Sequence, residues 1–151
     1  MKYIFLDIDG VLNIISGANN TYMKTGKHME VDLIELFNDF LDEYPNIKLI
    51  ISSDWRQDLP DLQECLEDVD FKHWNKVIGA TGYSDWRGNE IQDYINDNLT
   101  DKDQYCVLDD NMYFICGNSC SVIDKKYCVQ SNPKTGIDKL DLVNILRILS
   151  L

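Results

Sequence analysis

Short apolar runs alternate along this chain with stretches whose apolar positions recur at helical spacing, and that alternation predicts the elements. Residues Tyr3 to Leu6 form an apolar run that meets two acids, the pattern of a buried strand with polar residues at its C-terminal end. From Val31, residues Leu33, Ile34, Leu36, Phe37, Phe40 and Leu41 repeat at helical spacing until Pro45 stops the pattern. Ile47 to Ile51 is a second buried strand, ending in Ser52-Ser53. A helix over Leu59 to Leu66 follows, started by Asp58 or Asp61 with Pro60 nearby, and then a short strand at Val77-Ile78-Gly79. Ile91, Tyr94, Ile95 and Leu99 share one face of a helix over Gly88 to Leu99, opened by Gly88 or Asn89. Tyr105 to Leu108 is a strand running into Asp109-Asp110, a further strand lies between Tyr127 and Gln130, and a helix begins at about Asp138.

Alternating strands and helices give an α/β fold class: a three-layer sandwich with a mainly parallel, Rossmann-like sheet. In such sheets ligands bind outside the carboxyl ends of the strands. Those ends carry the polar clusters Asp7/Asp9, Ser52/Ser53 and Asp109/Asp110. No repeat or linker divides the 151 residues, so 1–151 reads as a single domain. The segment 13–30 contains Gly17, Gly26 and few apolar anchors, which predicts a short flap beside Asp7 and no separate lid.

Composition narrows the setting. Apolar runs such as Leu49-Ile50-Ile51 fall far short of the ~20 residues that span a bilayer. The N-terminus reaches an acid too soon for a secretory signal, and the five cysteines include no CxxC pair. A cytoplasmic location with reduced thiols and no membrane contact follows as the expectation. With 26 acidic against 14 basic residues, the net charge of −12 repels polyanions at long range. Nucleic acid is therefore expected only as a local end substrate, at loops carrying Lys24, Lys27, Arg56, Arg87 and Lys134. His28 and His73 lie outside any motif and read as surface residues, and oligomerisation stays open.

The chemistry concentrates in Asp7-Ile8-Asp9-Gly10-Val11-Leu12-Asn13 and in Asp109-Asp110. Two strands that each deliver an acidic pair to one sheet edge create a repulsive cluster, which a divalent cation neutralises. Hard carboxylate oxygens with open water positions suit Mg²⁺. Gly10 permits close backbone approach or a positive φ. Trp55 and Arg56, just past the second strand, are placed to stack on or grip a substrate, or to pack against the sheet.

Taken in order, Asp7-Ile8-Asp9-Gly10-Val11-Leu12, Ser52, Arg87 and Leu108-Asp109-Asp110 resemble the four motifs of the haloacid dehalogenase (HAD) superfamily. Ile50-Ile51-Ser52-Ser53-Asp54-Trp55-Arg56, Arg87-Gly88-Asn89-Glu90-Ile91 and Pro133-Lys134-Thr135-Gly136-Ile137 are similar to the HAD domain of Swiss-army-knife RNA repair proteins. That narrower label describes domain company and names no substrate. The resemblance implies a capless HAD-type phosphatase with Asp7 as nucleophile and Asp9 as general acid and base. Mg²⁺ would be held by Asp7, the Asp9 carbonyl, Asp109 and Asp110. Ser52, or Ser53 if the strand ends one residue later, would donate to the phosphoryl group, and Arg87 would offset transition-state charge.

Asp9 favours phosphatase chemistry over dehalogenation, which needs no proton on a leaving alkoxide. The expected substrate is a phosphomonoester of open identity: a nucleotide, a nucleic-acid end or a phosphoprotein. Two rival classes are a receiver-like phospho-sensing module and a catalytically retired interaction domain. A receiver carries its acceptor Asp after a middle strand, whereas the second strand here ends in Ser52-Ser53. Retention of Asp7, Asp9, Ser52 and Asp109 speaks against retirement.

Overall fold

The computed structural model describes residues 1–15 and 29–151. Most of the flap expected over 13–30, with Lys24, Lys27 and His28, lies outside the described residues. Five strands, β1 (Lys2–Leu6), β2 (Ile47–Ile51), β3 (Val77–Ala80), β4 (Gln104–Asp109) and β5 (Cys128–Gln130), form one sheet in the order β3-β2-β1-β4-β5. Every pairing is parallel. The helices are α1 (Val31–Glu43), α2 (Leu59–Glu67), α3 (Arg87–Asn98) and α4 (Lys139–Ile148).

Strand alternation sorts the apolar residues into two cores. Ile4, Leu6, Leu49, Ile51 and Leu108 face one layer, where α1, α2 and α4 contribute residues such as Phe37, Leu62 and Ile145. Phe5, Ile50 and Val107 face the other, covered by Ile91 of α3 and by Ile115 and Ile123 of the β4–β5 connection. The three layers of the expected sandwich are present, and the second is thinner. The β4–β5 connection crosses it with only a 3₁₀ turn at Lys125–Tyr127.

Local chemistry sets the helix ends. Asp58, not Asp61, caps α2 by accepting from the Asp61 N–H at 3.0 Å. Asp138 and Asp141 cap α4 reciprocally. The expected opening of α3 at Gly88 or Asn89 is corrected: the helix starts at Arg87 after Trp86, with no side-chain cap. Gly88 serves close packing, since a Cβ there would meet the Ile115 carbonyl oxygen at 2.9 Å.

Register decides what reaches the edge. Leu6 lies opposite both Ile51 and Leu108, so the residues that follow, Asp7, Ser52 and Asp109, emerge level. The central strand is β1, which places Asp7 in the middle of that edge. Backbone bonds continue the ladder one step further: Ser52 N–H donates to Leu6 C=O at 3.0 Å, Asp7 N–H to Leu108 C=O at 3.0 Å, and Thr81 N–H to Ile51 C=O at 2.9 Å. No helix among the described residues is long and apolar enough to cross a membrane, and all five cysteines are free thiols.

Candidate active site

Asp7, Asp109 and Asp110 converge at the middle of this edge, each offering a carboxylate oxygen within 4.8 Å of the others'. Asp7 and Asp109 are buried. Burial, and then the neighbouring Asp109 charge, hold the Asp7 carboxyl well above the ordinary range, although Arg87 pulls the other way. Burial likewise pushes Asp109 up to about 7, against the pull of Arg87 and of the Asn111 N–H. Asn111 N–H donates to Asp109 Oδ1 at 2.9 Å.

Arg87 compensates this charge only in part. Its Nη1 lies 3.2 Å from Asp7 Oδ1 and 3.3 Å from Asp109 Oδ2, and its Nη2 is 3.1 Å from Asp54. Burial opposes the guanidinium's charge, but Asp7 and Asp109 outweigh it and raise its pKa. Asp7, Asp109 and Asp110 thus bring three carboxyl groups to one point, with this single guanidinium beside two of them. That donor set, hard oxygens at a protected edge, fits Mg²⁺.

The turn after β1 is built around Gly10. Its φ is +77°, and a Cβ there would meet Asp110 Oδ2 at 2.6 Å. Both of its backbone groups are occupied: the N–H donates to Asn13 Oδ1 at 2.9 Å, and the carbonyl accepts from Ser131 Oγ at 2.7 Å. The glycine brings the turn against Asp110 and has no free N–H to offer a phosphate.

Asp9 stands apart from the acidic cluster. Its Oδ1 accepts from Asn13 Nδ2 at 2.9 Å and from Trp55 Nε1 at 3.1 Å. Both N–H donors meet the same oxygen of the carboxyl group and fix its orientation. Trp55, read as stacking on a substrate or packing against the sheet, gives its indole N–H to Asp9.

Ser52 and Ser53 separate cleanly. Ser53 Oγ accepts from the Trp55 N–H at 3.3 Å and caps the following 3₁₀ turn. Ser52 Oγ is fully buried with no hydrogen-bond partner among the described residues. A buried unpaired hydroxyl is costly, and of the two serines only Ser52 carries one. Thr81, at the end of β3, also has a buried hydroxyl without a hydrogen bond. Sequence reasoning missed it, although the strand-end pattern that singled out Ser52 applies equally there.

Arg56, read as gripping a substrate or packing against the sheet, is seen packed. Its guanidinium turns inward, with Nη2 2.9 Å from Glu90, Nη1 3.1 Å from the Ser53 carbonyl, and the ring of Tyr83 4.3 Å from its centre. Its Nε has no hydrogen-bond partner among the described residues, while Nη1 and Nη2 tie the end of β2 to α3. Asp54 and Asn13 were also missed. The Asn13 signal was present as a short polar side chain three residues after Gly10, a spacing that favours a side-chain to backbone bond. Lys134 is exposed in the turn after β5.

Among known proteins, the family model for the HAD domain in Swiss Army Knife RNA repair proteins matches residues 3–142. No curated protein and no solved structure gives a significant match. The matched span runs from β1 into α4 and includes every residue of the site just described. The chain therefore belongs to the haloacid dehalogenase superfamily, in the family of HAD domains found in Swiss Army Knife RNA repair proteins, and its chemistry is of the phosphatase type.

Proposed function

We propose that this protein is a Mg²⁺-dependent phosphatase that hydrolyses a phosphomonoester through an aspartyl-phosphate on Asp7. The observation that carries the reading is the level edge on which buried Asp7 meets Asp109, Asp110 and Arg87, with the unpaired Ser52 hydroxyl on the neighbouring strand. Bound at Asp7, Asp109 and Asp110, with the Asp9 carbonyl as a further ligand, Mg²⁺ supplies charge neutralisation and orients the phosphoryl group.

In this reaction Asp7 attacks phosphorus and the bond to the leaving alcohol breaks, while the Asp9 carboxyl gives its proton to the leaving oxygen. Asp9, now a carboxylate, then takes a proton from water. The water oxygen forms a new bond to phosphorus, the Asp7–phosphorus bond breaks, and inorganic phosphate leaves. Ser52 donates to a phosphoryl oxygen, and Arg87 offsets charge as it builds on the transferring group.

The test is release of p-nitrophenol from its phosphate ester with and without Mg²⁺. The wild type should turn over only with the metal, and Asp7→Asn should lose turnover together with the phosphoenzyme trapped on acid quench. Metal-independent release, or an Asp7→Asn variant at the wild-type rate, refutes the reading.

A further inference from the structure

Three aromatic rings beside the catalytic pocket have no part in the reaction derived above. Phe114 and Tyr113, on the β4–β5 connection, are 47% and 56% exposed. Their rings meet edge to face at 4.9 Å, and Trp86, just before α3, lies 5.0 Å from Phe114. Trp86 is half-buried, which leaves Phe114 and Tyr113 as an adjoining pair of exposed rings, unfavourable on a surface that meets only water.

The backbone holds these rings in place. The N–H groups of Ile115, Cys116 and Gly117 all donate to the Met112 carbonyl, and Gly88 N–H donates to the Phe114 carbonyl at 2.9 Å. Gly88 follows Arg87, so the helix start that presents the guanidinium to Asp7 also anchors the rings.

The shape of the surface indicates what they meet. Phe114 lines a cavity of about 230 Å³ with Asp7, Arg87, Asp109 and Asp110. Whole small-molecule sites are usually larger, roughly 300–1,000 Å³. Next to it, sharing Asn111, lies an open groove of about 860 Å³ lined by Tyr113 and Lys125 among others. A phosphoryl group suits the first space, and the alcohol that bears it extends past Phe114 toward the second.

We infer that the ring of Phe114 is a stacking shelf for a planar aromatic ring in the leaving group of the substrate, with Tyr113 and Trp86, whose rings are turned 89° and 60° from its plane, packed against it. The inference rests on the phosphatase reading and narrows its substrate class to ring-bearing monoesters, the ring being a nucleobase or an aryl group. Both present a π-face, and stacking on aromatic side chains is tolerant of which ring it is.

Two matched pairs of esters test this, each differing only in the ring. They are adenosine 5′-monophosphate against ribose 5-phosphate, and benzyl phosphate against cyclohexylmethyl phosphate. The aromatic member should be favoured in kcat/KM by about tenfold in at least one pair, the scale set by base–aromatic stacking. Preference in the first pair alone assigns a nucleobase, and in the second alone an aryl group. Phe114→Ala should bring the ratio close to one, and Phe114→Tyr should preserve it. Equal rates within both pairs, or a Phe114→Ala variant that slows both members alike, overturns the shelf. Calorimetric binding of the same esters to the Asp7→Asn protein in Mg²⁺ repeats the comparison without turnover. Ring-dependent binding in a protein whose wild type never turns over any ester refutes the phosphatase reading and keeps the shelf. Turnover with no ring preference does the reverse.

Discussion

The indole N–H of Trp55 donates to Oδ1 of Asp9 at 3.1 Å. A residue in the 3₁₀ turn after the second strand thereby orients the carboxyl group just past the end of the first, and with Asn13 it fills one oxygen of that carboxyl. Trp55→Phe keeps the ring and removes the donor. On alkyl phosphates, which need a proton on the leaving oxygen, kcat should fall by about tenfold, a scale consistent with losing one hydrogen bond to an ionisable group. On p-nitrophenyl phosphate the fall should be small. Plotting log kcat against leaving-group acidity checks this, and an unchanged slope counts against the role given to Trp55.

Asp7 and Asp109 are both raised above ordinary carboxylate values, first of all by burial, with Asp109 at about 7. Without metal the folded protein therefore holds protons that the unfolded chain releases near pH 4. The contribution of Asp109 is full below about pH 4 and is lost as the pH rises through about 7, and that of Asp7, also raised, runs in the same direction. In EDTA the Tm of the wild type, relative to Asp109→Asn, should decline across that window. Millimolar Mg²⁺, binding only the native cluster, should recover it at neutral pH. A wild-type Tm that gains on the variant with rising pH, or that ignores Mg²⁺, contradicts this assignment.

The two serines should respond in opposite ways. Ser52 has a buried hydroxyl with no partner, so Ser52→Ala should leave Tm unchanged or slightly raised while activity drops by about tenfold or more. Ser53 caps a 3₁₀ turn, so Ser53→Ala should cost about 1 kcal/mol of stability and leave more of the activity. Paired thermal melts and rate measurements decide it. The reverse pattern would show that the phosphate donor is Ser53.

At Gly10 a methyl group meets two obstacles, a φ of +77° and the Asp110 carboxylate at 2.6 Å. Gly10→Ala should lower stability by about 1–3 kcal/mol and weaken the Mg²⁺-induced Tm shift, because Asp110 must move to make room. Chemical denaturation with and without Mg²⁺ measures both effects. A variant with wild-type stability and an intact metal response would show that the close contact is unimportant.

Much of this protein was legible in its sequence because the relevant signals are local. Apolar alternation locates β1, β2 and β4, helical spacing locates α1 and α4, and a parallel sheet then sends Asp7, Ser52 and Asp109 to one edge. Side-chain partnership is a different kind of fact. Trp55 finds Asp9 across 46 residues, Arg87 finds Asp54 across 33, and nothing in the spacing of either pair foretells it. The same holds for Arg56, whose place just past β2 left substrate contact and packing both open until the fold turned it toward Glu90. Tertiary structure also separated Ser52 from Ser53, neighbours alike in sequence. A hydroxyl that caps a turn and one left unpaired in the sheet edge differ only in where the backbone points them. Sequence by itself determined which residues reach the edge, since a strand's period and its register are set by its own apolar residues and those of its neighbours. Which atoms meet there was decided by the fold, because hydrogen bonds form between side chains that only packing brings within 3 Å or so of each other.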